Sequence, residues 1–381
     1  MATILFIGHE ASRTGAPFTQ LHLMRWLKAN TNHKMVLALL AGGERALLKE
    51  FEELADVYIV DSPTFPLSAR IWSKLNRMAG KQHSNTINSI VKHAPELIFV
   101  NTLIAINYGV MIKEKTNSKL ICNIHELDTY ALFYAPVGGY LPALKKADWL
   151  MMGSKAVKNF YLNNFDIDSA NVSVIYDFIA DETVNSEPVA DIKALYNIPR
   201  SAKLVGGIGT LDWRKGKEIF LYVAREVVKH SSDAYFIWVG GKKSSVDYKQ
   251  MEREVKLLGL EDRIILTGEQ TDIRSYYEAF NIFLLTSRED PFPLVCLESA
   301  LATTPVICFE GSGGMPEFVR DDAGYVIPYV DISQMAEKTL LLLNDEPLRK
   351  SMGSTARNRV LNNHVISKIG PSVLKLIEEV L

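Results

Sequence analysis

The chain has 381 residues, of which 48% are hydrophobic and 23% are charged, and its formal net charge at pH 7 is −2. A chain of this length exceeds what one hydrophobic core usually supports, so we expect two domains. The small net charge argues against a dedicated nucleic-acid-binding protein. No apolar run approaches the roughly 18 residues of a membrane-spanning helix, so we expect no membrane span.

The start of the chain and its cysteines indicate where the protein resides. The segment "MATILFIGHE" lacks the basic leader and the long apolar stretch of a secretory signal peptide. Cys122, Cys296 and Cys308 lie in or beside apolar runs and lack the spacing of metal ligands. We therefore expect reduced, buried thiols and a cytoplasmic protein.

Apolar runs of strand length alternate with helical patterns in the first half of the chain. The runs are "TILFIG", "KMVLALL", "VYIV", "ELIFVN", "KLICNIH", "DWLMMG" and "VSVIY". Because they are continuous rather than alternating, they predict strands of a parallel sheet covered by helices on both faces. Phe18, Leu21, Met24 and Leu27 form the core-facing stripe of the first predicted helix.

The same pattern restarts after an acidic segment without a clear period, residues 177–200, which we interpret as an interdomain connection. The later runs are "KLVGGIGTL", "AYFIWVGG", "RIILTG", "NIFLLTS", "PVICF" and "GYVIP". We predict an α/β fold with two doubly wound, Rossmann-like domains that face a cleft. The domains are residues 1–180 and 181–364, and we expect a C-terminal helix at 365–381 to pack back on the first domain.

Two acids flank a strand-to-helix turn in "SREDPFPLVCLESALA", where Asp290 and Glu298 stand eight positions apart. Pro293 is predicted to open the helix, because proline suits a first turn. The free N–H groups of Leu294 and Val295 would then form a phosphate site at the positive end of the helix dipole. Carboxylates beside it can accept hydrogen bonds from vicinal sugar hydroxyls. The alternative is a proline-capped helix whose acids favour the helix N-terminus.

Two further strand ends in this domain suit the same kind of ligand. "GGIGTLDWRKGKEIF" places Arg214 and Lys215 before a helix, where fixed cations can neutralise a diphosphate. A solvated turn is the alternative for this stretch. "EGSGGMPEFV" has glycines that permit close backbone approach and Pro316 near a helix start. Three such strand ends together predict a phosphorylated, hydroxyl-rich ligand.

Over nearly its full length the chain resembles the retaining glycosyltransferases of family four, which are glycosyl transferases of group 1 with the GT-B fold. The Glu-x7-Glu element of that family corresponds to Asp290-x7-Glu298, with Asp in the first place. The resemblance implies that Asp290 contacts donor-sugar hydroxyls and that Glu298 contacts the nucleotide ribose. The intervening backbone would hold the diphosphate, which makes donor-binding candidates of Phe292, Pro293, Leu294 and Val295.

The resemblance also assigns roles outside this turn. Lys215 matches the family's phosphate-binding Lys before Gly, whereas the Arg usually found five positions earlier is replaced by Thr210, so Arg214 would supply the second cation. Gly15 retains one of two glycines that the family has near the donor sugar. His125 matches a family histidine that hydrogen-bonds the donor sugar. The catalytic candidates are therefore His125, Asp290 and Lys215.

Several of these positions have plainer interpretations. The loop around Gly15 is also compatible with an ordinary strand-to-helix connection, and a single histidine is more often structural than catalytic. Asn101, at the end of "ELIFVN", is a weaker candidate of the same kind as His125. Asp166 and Asp168 form an Asp-x-Asp motif, which other glycosyltransferases use for metal, but here we interpret it as a solvated turn.

Two segments of the predicted first domain concern an acceptor or a membrane. Residues 68–83 form a basic amphipathic pattern with a tryptophan, which fits a core-facing helix or, alternatively, a helix lying on an anionic membrane. The aromatic loop at 130–142 either lines an acceptor site or belongs to the core. Many family members use lipid-linked acceptors, which keeps the membrane alternative open.

Together these features predict a retaining glycosyltransferase of the hexosyltransferase type. It would move a sugar from a nucleotide-diphosphate donor, UDP- or GDP-linked, to a glycan or lipid-linked acceptor in surface polysaccharide or glycoconjugate synthesis. We expect no metal, no cofactor beyond the nucleotide sugar as co-substrate, and no nucleic-acid partner. We expect a cytoplasmic protein, with peripheral contact at the inner face of the membrane as an alternative. The motifs do not encode the nucleotide base, the sugar or the acceptor.

Three rival functions stay open at this point. The first is a nucleotide-sugar epimerase or hydrolase with the same fold. The second is an NAD-dependent oxidoreductase. The first predicted strand is not followed by a G-x-G-x-x-G fingerprint, which argues against this function. The third is a non-catalytic scaffold that keeps a nucleotide site.

Overall fold

The structure is a computed structural model that describes residues 1–40, 45–60, 85–131, 139–184 and 188–381. The chain divides into two compact units, which are described here one at a time. Unit 1 contains Met1–Asp177 and Ile366–Leu381, and unit 2 contains Phe178–Val365. The basic segment 68–83 lies outside the described residues, as does 132–138 of the aromatic loop.

Unit 1 is built on a seven-stranded sheet whose neighbouring strands pair in parallel. In chain order the strands are β1 (Thr3–Gly8), β2 (Lys34–Leu39), β3 (Asp56–Ile59), β4 (Leu97–Asn101), β5 (Lys119–Ile124), β6 (Trp149–Met152) and β7 (Val172–Val174). Their order across the sheet is β3-β2-β1-β4-β5-β6-β7, so the winding direction reverses between β1 and β4. Ligands bind at such a reversal, outside the carboxyl ends of the strands.

Helices cover both faces of this sheet, as the continuous apolar strands require. They are α1 (Gly15–Asn30), α2 (Leu48–Glu52), α3 (Ile106–Thr116), α4 (Tyr140–Leu144) and α5 (Lys155–Asn164), with further helical residues at 85–91. Helix α1 buries Leu21, Met24 and Leu27 of its predicted stripe, whereas Phe18 is half-buried and stacks on His22.

Unit 2 contains a six-stranded parallel sheet. Its strands are β8 (Lys203–Ile208), β9 (Ala234–Val239), β10 (Ile264–Gly268), β11 (Ile282–Leu285), β12 (Val306–Phe309) and β13 (Gly324–Ile327). The order β10-β9-β8-β11-β12-β13 reverses between β8 and β11. The glycine-and-lysine stretch follows β8 and the acidic turn follows β11, so both predicted stretches lie at this reversal.

The helices of unit 2 include two short ones within the connection that was predicted to be irregular. The helices are α6 (Asp181–Val184), α7 (Ile192–Leu195), α8 (Lys217–Val228), α9 (Val246–Leu257), α10 (Arg274–Ala279), α11 (Leu294–Leu301), α12 (Met315–Val319), α13 (Ile332–Asn344) and α14 (Glu346–Asn363). The Asp191 side chain caps α7 by accepting a hydrogen bond from the Ala194 N–H at 3.1 Å. A local cap of this kind forms a short helix without a periodic apolar pattern.

The last helix, α15 (Ile366–Val380), belongs to unit 1 and packs against α1. Its apolar side buries Ile366, Val373 and Ile377. The two helices approach closely at Gly370, where an added Cβ would lie 2.5 Å from the indole ring of Trp26. Within the described residues, no helix combines the length and the apolar character needed to cross a bilayer.

The contact between α15 and α1 predicts a cost for any side chain at position 370. Alanine is a better helix former than glycine by about 1 kcal/mol, but the Gly370→Ala methyl would overlap the Trp26 ring. We expect the overlap to dominate and to lower the free energy of unfolding by about 1–3 kcal/mol, measured by urea denaturation. The control is Gly15→Ala, where the added methyl meets nothing within 4 Å. A Gly370→Ala variant as stable as the wild type would contradict this packing.

Candidate functional site

The carboxyl ends of β8, β11 and β12 bring the three predicted ligand-binding stretches into contact. Lys215 Nζ donates a hydrogen bond to Asp290 Oδ2 at 2.5 Å, which joins the stretch after β8 to the turn after β11. The Asp290 N–H donates to the Ser312 carbonyl at 2.6 Å, which joins that turn to the glycine-rich loop after β12. The sequence-based expectation of one shared site in unit 2 therefore has a physical basis, although the roles of its residues stay predictions.

The position of Lys215 depends on the conformation of the glycine that follows it, Gly216. Gly216 has φ +64°, a left-handed conformation, and a Cβ on it would overlap the carbonyl oxygen of Thr286, just after β11. Thr286 Oγ1 donates to the Lys215 carbonyl at 3.1 Å, and Asp212 Oδ1 accepts the Arg214 N–H at 2.9 Å. The turn between β8 and α8 is thus held against the end of β11, and only glycine fits at its closest point.

A buried cluster of two cations and one carboxylate lies at the centre of the site. Arg214 Nη1 is 3.5 Å from Asp290 Oδ1, and the side chains of Asp290, Lys215 and Arg214 are 7%, 14% and 16% exposed. Ser287 Oγ also donates to Asp290 Oδ2 at 3.2 Å. Burial alone would raise the pKa of Asp290, but Lys215 and then Arg214 outweigh it and hold that pKa below its ordinary value. Asp212 Oδ1 lies 3.9 Å from Arg214 Nε at the edge of this cluster.

Helix α11 begins at Leu294, the first residue of the segment that the sequence predicts to be helical. Pro293 has φ −69° and ψ 123°, an extended conformation that leaves it as the residue before the helix, and Leu294 is the first helical residue. Among the described residues, no side chain caps this N-terminus. Leu294 and Val295 are half-buried. The backbone N–H groups of this first turn retain the geometry that favours an anion.

The side chain of Phe292 is buried at this turn. Its side chain is 3% exposed, and its ring lies 5.3 Å from the imidazole of His364, centroid to centroid, at an interplanar angle of 30°. The side chain therefore belongs to the core of unit 2, so a donor-binding role for Phe292 would have to come from its backbone.

Glu298 lies on α11 and is held by a tyrosine that the sequence reasoning did not identify. The hydroxyl of Tyr277, on α10, donates to Glu298 Oε2 at 2.7 Å. Burial raises the pKa of Glu298 above its ordinary value, and Tyr277 and the cation of Arg274 counteract part of that rise. No spacing signal marks Tyr277 or Arg274, because they lie on a different helix from Glu298.

In unit 1 the candidates His125, Asn101 and Gly15 share one edge of the sheet. Asn101 Nδ2 donates to the carbonyl of Ala16, next to Gly15 in the first turn of α1, at 2.9 Å. Asn101 Oδ1 lies 3.0 Å from His125 Nε2. The sequence reasoning missed a further partner, Asp177, whose carboxylate lies 3.2 Å from His125 Nδ1. All of these contacts lie within unit 1.

The Asp-x-Asp motif lies apart from these contacts. Asp166 is 98% exposed in its side chain and pairs with Lys145 at 2.7 Å. Asp168 Oδ1 accepts the Ala170 N–H at 2.9 Å and so caps a short 3-10 turn. Both positions fit the solvated turn expected from the sequence.

Part of this chain is similar to a known protein family. Residues 189–359 match the family described as glycosyl transferases group 1. The similarity to the group 1 glycosyltransferases lies within unit 2. The matched segment includes Arg214, Lys215, Asp290 and Glu298, whereas His125 lies outside it.

Curated relatives of this family match the chain over different lengths. The N-acetyl-alpha-D-glucosaminyl L-malate synthase of Bacillus anthracis is 29% identical over 52% of this chain and 51% of its own. A Campylobacter jejuni relative is 25% identical over 69% of this chain and 71% of its own. Its name is N-acetylgalactosamine-N,N'-diacetylbacillosaminyl-diphospho-undecaprenol 4-alpha-N-acetylgalactosaminyltransferase. The chain thus spans about half the length of the first of these relatives.

Solved structures resemble the whole chain in fold. Anabaena HepE in complex with UDP-glucose is 18% identical, covers 100% of both chains and has a TM-score of 0.82. With two parallel sheets of seven and six strands flanked by helices, the predicted GT-B class of α/β fold is confirmed.

The charge cluster of unit 2 predicts a specific dependence of stability on pH. Asp290→Asn removes the buried carboxylate that Lys215 and Arg214 share, so the free energy of unfolding should fall by about 3–5 kcal/mol at pH 7. Because the folded-state pKa of Asp290 lies below its unfolded value, near 3.9, its contribution is present above that pH and is lost as the pH falls through the folded pKa. The wild type and Asp290→Asn should therefore converge in acid. Chemical denaturation between pH 7 and pH 3 measures this.

The control for this experiment is Asp166→Asn, which removes an exposed carboxylate and should change stability by less than about 0.5 kcal/mol at every pH. A constant difference between the wild type and Asp290→Asn across the pH range would show that the charge of Asp290 is not what stabilises the cluster.

Proposed function

We propose that the protein is a glycosyltransferase that moves a sugar from a nucleotide-diphosphate donor to a glycan or lipid-linked acceptor in polysaccharide or glycoconjugate synthesis. The observation that carries the proposal is the cluster of Arg214, Lys215 and Asp290, which places two cations at the sheet reversal and beside the start of α11. Fixed cations and helix N-terminal N–H groups are what a diphosphate leaving group needs.

A UDP-linked sugar is the donor that we propose first. It is supported by the fold shared with HepE, whose structure contains UDP-glucose. Glu298 would accept hydrogen bonds from the ribose hydroxyls, with the Tyr277 hydroxyl holding its carboxylate in place. Asp290 would contact the donor sugar while it remains the counter-ion of Lys215.

The chemical step that we propose retains the anomeric configuration. The bond from C1 of the sugar to the diphosphate oxygen breaks, and a bond from C1 to the acceptor oxygen forms on the same face. The acceptor proton passes to an oxygen of the leaving phosphate. Asp290 is unsuited to donate a proton, because its pKa is held below the ordinary value. Lys215 and Arg214 would stabilise the negative charge that develops on the leaving group.

A lipid-linked acceptor is supported by the Campylobacter jejuni relative, whose name specifies a diphospho-undecaprenol acceptor. We therefore also propose that the protein works in the cytoplasm at the inner face of the membrane. The comparisons lend no support to an epimerase or hydrolase, nor to an NAD-dependent oxidoreductase.

Donor screening followed by product analysis tests the proposal. UDP-, GDP-, ADP- and dTDP-sugars are compared by thermal shift, since a ligand at 100 times its dissociation constant stabilises the folded state by about 2.7 kcal/mol. The best donor is then incubated with lipid-linked and soluble glycan acceptors, and the new linkage is analysed by NMR. An α-linked donor should give an α-linked product. A β-linked product would refute the retaining step, and the lack of binding by any nucleotide sugar would refute the function.

Substitutions of the two acids of the motif, Glu298 and Asp290, should have different effects on nucleotide affinity. Glu298→Ala removes charge-assisted hydrogen bonds worth about 1.5–3 kcal/mol, so UDP should bind about 10–100-fold more weakly by calorimetry. Asp290→Ala should not weaken UDP binding, because it leaves Lys215 and Arg214 in place, but it should lower turnover through loss of donor positioning.

The matched control is Glu337→Ala, which removes an exposed acid on α13, outside the three stretches of the site. Equal affinity for UDP in the wild type and Glu298→Ala would exclude Glu298 from the ribose site.

Turnover should depend on fixed cations rather than on a metal ion. Lys215→Ala should reduce kcat by on the order of 10²–10³, as the loss of one preorganised charge-stabilising donor does elsewhere. Activity should persist in excess EDTA, and the double change Asp166→Ala with Asp168→Ala should be nearly silent. Steady-state kinetics with the best donor measures all three. If EDTA abolishes turnover and Lys215→Ala is tolerated, the stabilising charge lies elsewhere.

A further inference from the structure

A row of buried polar side chains crosses the carboxyl ends of neighbouring strands in unit 1. Asn101 ends β4, Asn123 lies at the end of β5, His125 follows β5, and Asp177 follows β7. Asn101 and Asn123 are each 1% exposed and Asp177 is 7% exposed. At its other end the row reaches α1, because Asn101 Nδ2 donates to the Ala16 carbonyl at 2.9 Å. The row therefore connects the end of β7 to the first turn of α1.

Asp177 determines where one imidazole proton resides. It reaches His125 across the end of β6, where a Cβ on Gly153 would lie 3.1 Å from Asp177 Oδ2. The same carboxylate oxygen is 3.2 Å from His125 Nδ1. An ionised carboxylate only accepts hydrogen bonds, so this contact requires a proton on Nδ1.

The other ring nitrogen has partners for both of its protonation states. His125 Nε2 is 2.7 Å from Asn123 Nδ2, a donor, and 3.0 Å from Asn101 Oδ1, an acceptor. Asn123 Nδ2 also donates to Asn101 Oδ1 at 3.1 Å. A neutral ring accepts a hydrogen bond from Asn123. A charged ring donates one to Asn101 Oδ1, and the Asn123 amide must then turn its Nδ2 away from the Nε2 proton, because two donors cannot pair with each other. Nε2 therefore has a partner in both protonation states.

The charged groups that face the imidazole are Asp177 and Glu126. Burial alone would lower the pKa of His125, but Asp177, and then Glu126, outweigh it and raise that pKa above its ordinary value. Glu126 is itself fixed, because its carboxylate accepts the N–H groups of Leu103 at 3.1 Å and of His125 at 3.0 Å. Burial raises the pKa of Glu126, while His125, and more weakly His9, counteract the rise.

We propose that Asp177 is a positioning residue that fixes a proton on Nδ1 of His125 and leaves Nε2 as the exchangeable proton site of the ring. When Nε2 is protonated, it holds the Asn101 oxygen, and the Asn101 amide group in turn holds the first turn of α1 at Ala16. The part of this inference that concerns turnover rests on the proposed function. The part that concerns the proton does not.

Nitrogen-15 NMR of the imidazole tests the proton assignment directly. The chain contains 8 histidines, and the signals that disappear in His125→Gln belong to His125. In the wild type at alkaline pH we expect the proton on Nδ1. In Asp177→Asn, which keeps the shape of the side chain but loses its charge, the pKa of His125 should fall by about 1–3 units. In Asp177→Ala the fixed preference for Nδ1 should be lost. Asp166→Asn is the control and should leave the His125 signals unchanged.

Two results would overturn the assignment. One is a wild-type ring with its proton on Nε2 at alkaline pH, and the other is an unchanged His125 pKa in Asp177→Asn. Because Asp177→Asn is nearly isosteric, its unfolding transition verifies that the comparison is made on folded protein. If Asp177→Ala does not fold, the pKa of Asp177→Asn still decides the matter.

The pH profile of turnover tests the functional part. If the charged ring holds the first turn of α1 in its working position, kcat falls as the pH rises through the His125 pKa. In Asp177→Asn this fall should then move to lower pH by the same shift that NMR measures. A profile that does not move while the His125 pKa does would refute the role in turnover. Failure of every nucleotide sugar to react would refute the proposed function and leave the NMR result standing.

Discussion

In unit 2, the turns at the carboxyl ends of three strands depend on one buried carboxylate that two cations share. Asp290 accepts a hydrogen bond from Lys215 and faces Arg214, and its own N–H donates to Ser312 in the next loop. Removing one partner from such a buried group costs about 3–5 kcal/mol, because the remaining charges are left without compensation. The contact therefore joins the turns after β8, β11 and β12. The cations that hold these turns together are also those of the proposed diphosphate site, so folding and binding would depend on the same charges.

The polar edge of unit 1 has a different chemical character. Its members are two amides, an imidazole and two carboxylates, and the carboxylates raise the pKa of its central group, His125, above the ordinary value. The edge of unit 2 instead contains two cationic side chains, Arg214 and Lys215, and the carboxylate of Asp290, whose pKa they hold below its ordinary value. One edge is suited to holding an anion and the other to responding to pH.

Much of this arrangement could be predicted from sequence, and the misses have physical causes. All thirteen apolar runs form strands, because strands of a covered parallel sheet bury both faces and so read as continuous apolar segments. Lys215 and Asp290 meet because strand ends on either side of a sheet reversal are neighbours. Tyr277 and Asp177 were missed because hydrogen-bond partners from distant elements leave no spacing signal. The packing of the Phe292 ring on His364, from the end of α14, could not be predicted either, because the two residues are distant along the chain.

The path of the chain through the two units has a consequence for how the protein can be divided. Unit 1 needs both ends of the chain, because α15 packs on α1, whereas unit 2 is one continuous stretch. The two ends of that stretch lie side by side, since the Ile179 N–H donates to the His364 carbonyl at 3.0 Å and Ile179 forms a parallel bridge with Val365. In chain order, unit 2 is thus an insertion into unit 1, and the first and last residues of unit 2 are neighbours. Truncation from the C-terminus would damage the unit that begins the chain, and residues 178–365 are the segment to excise as an independent domain.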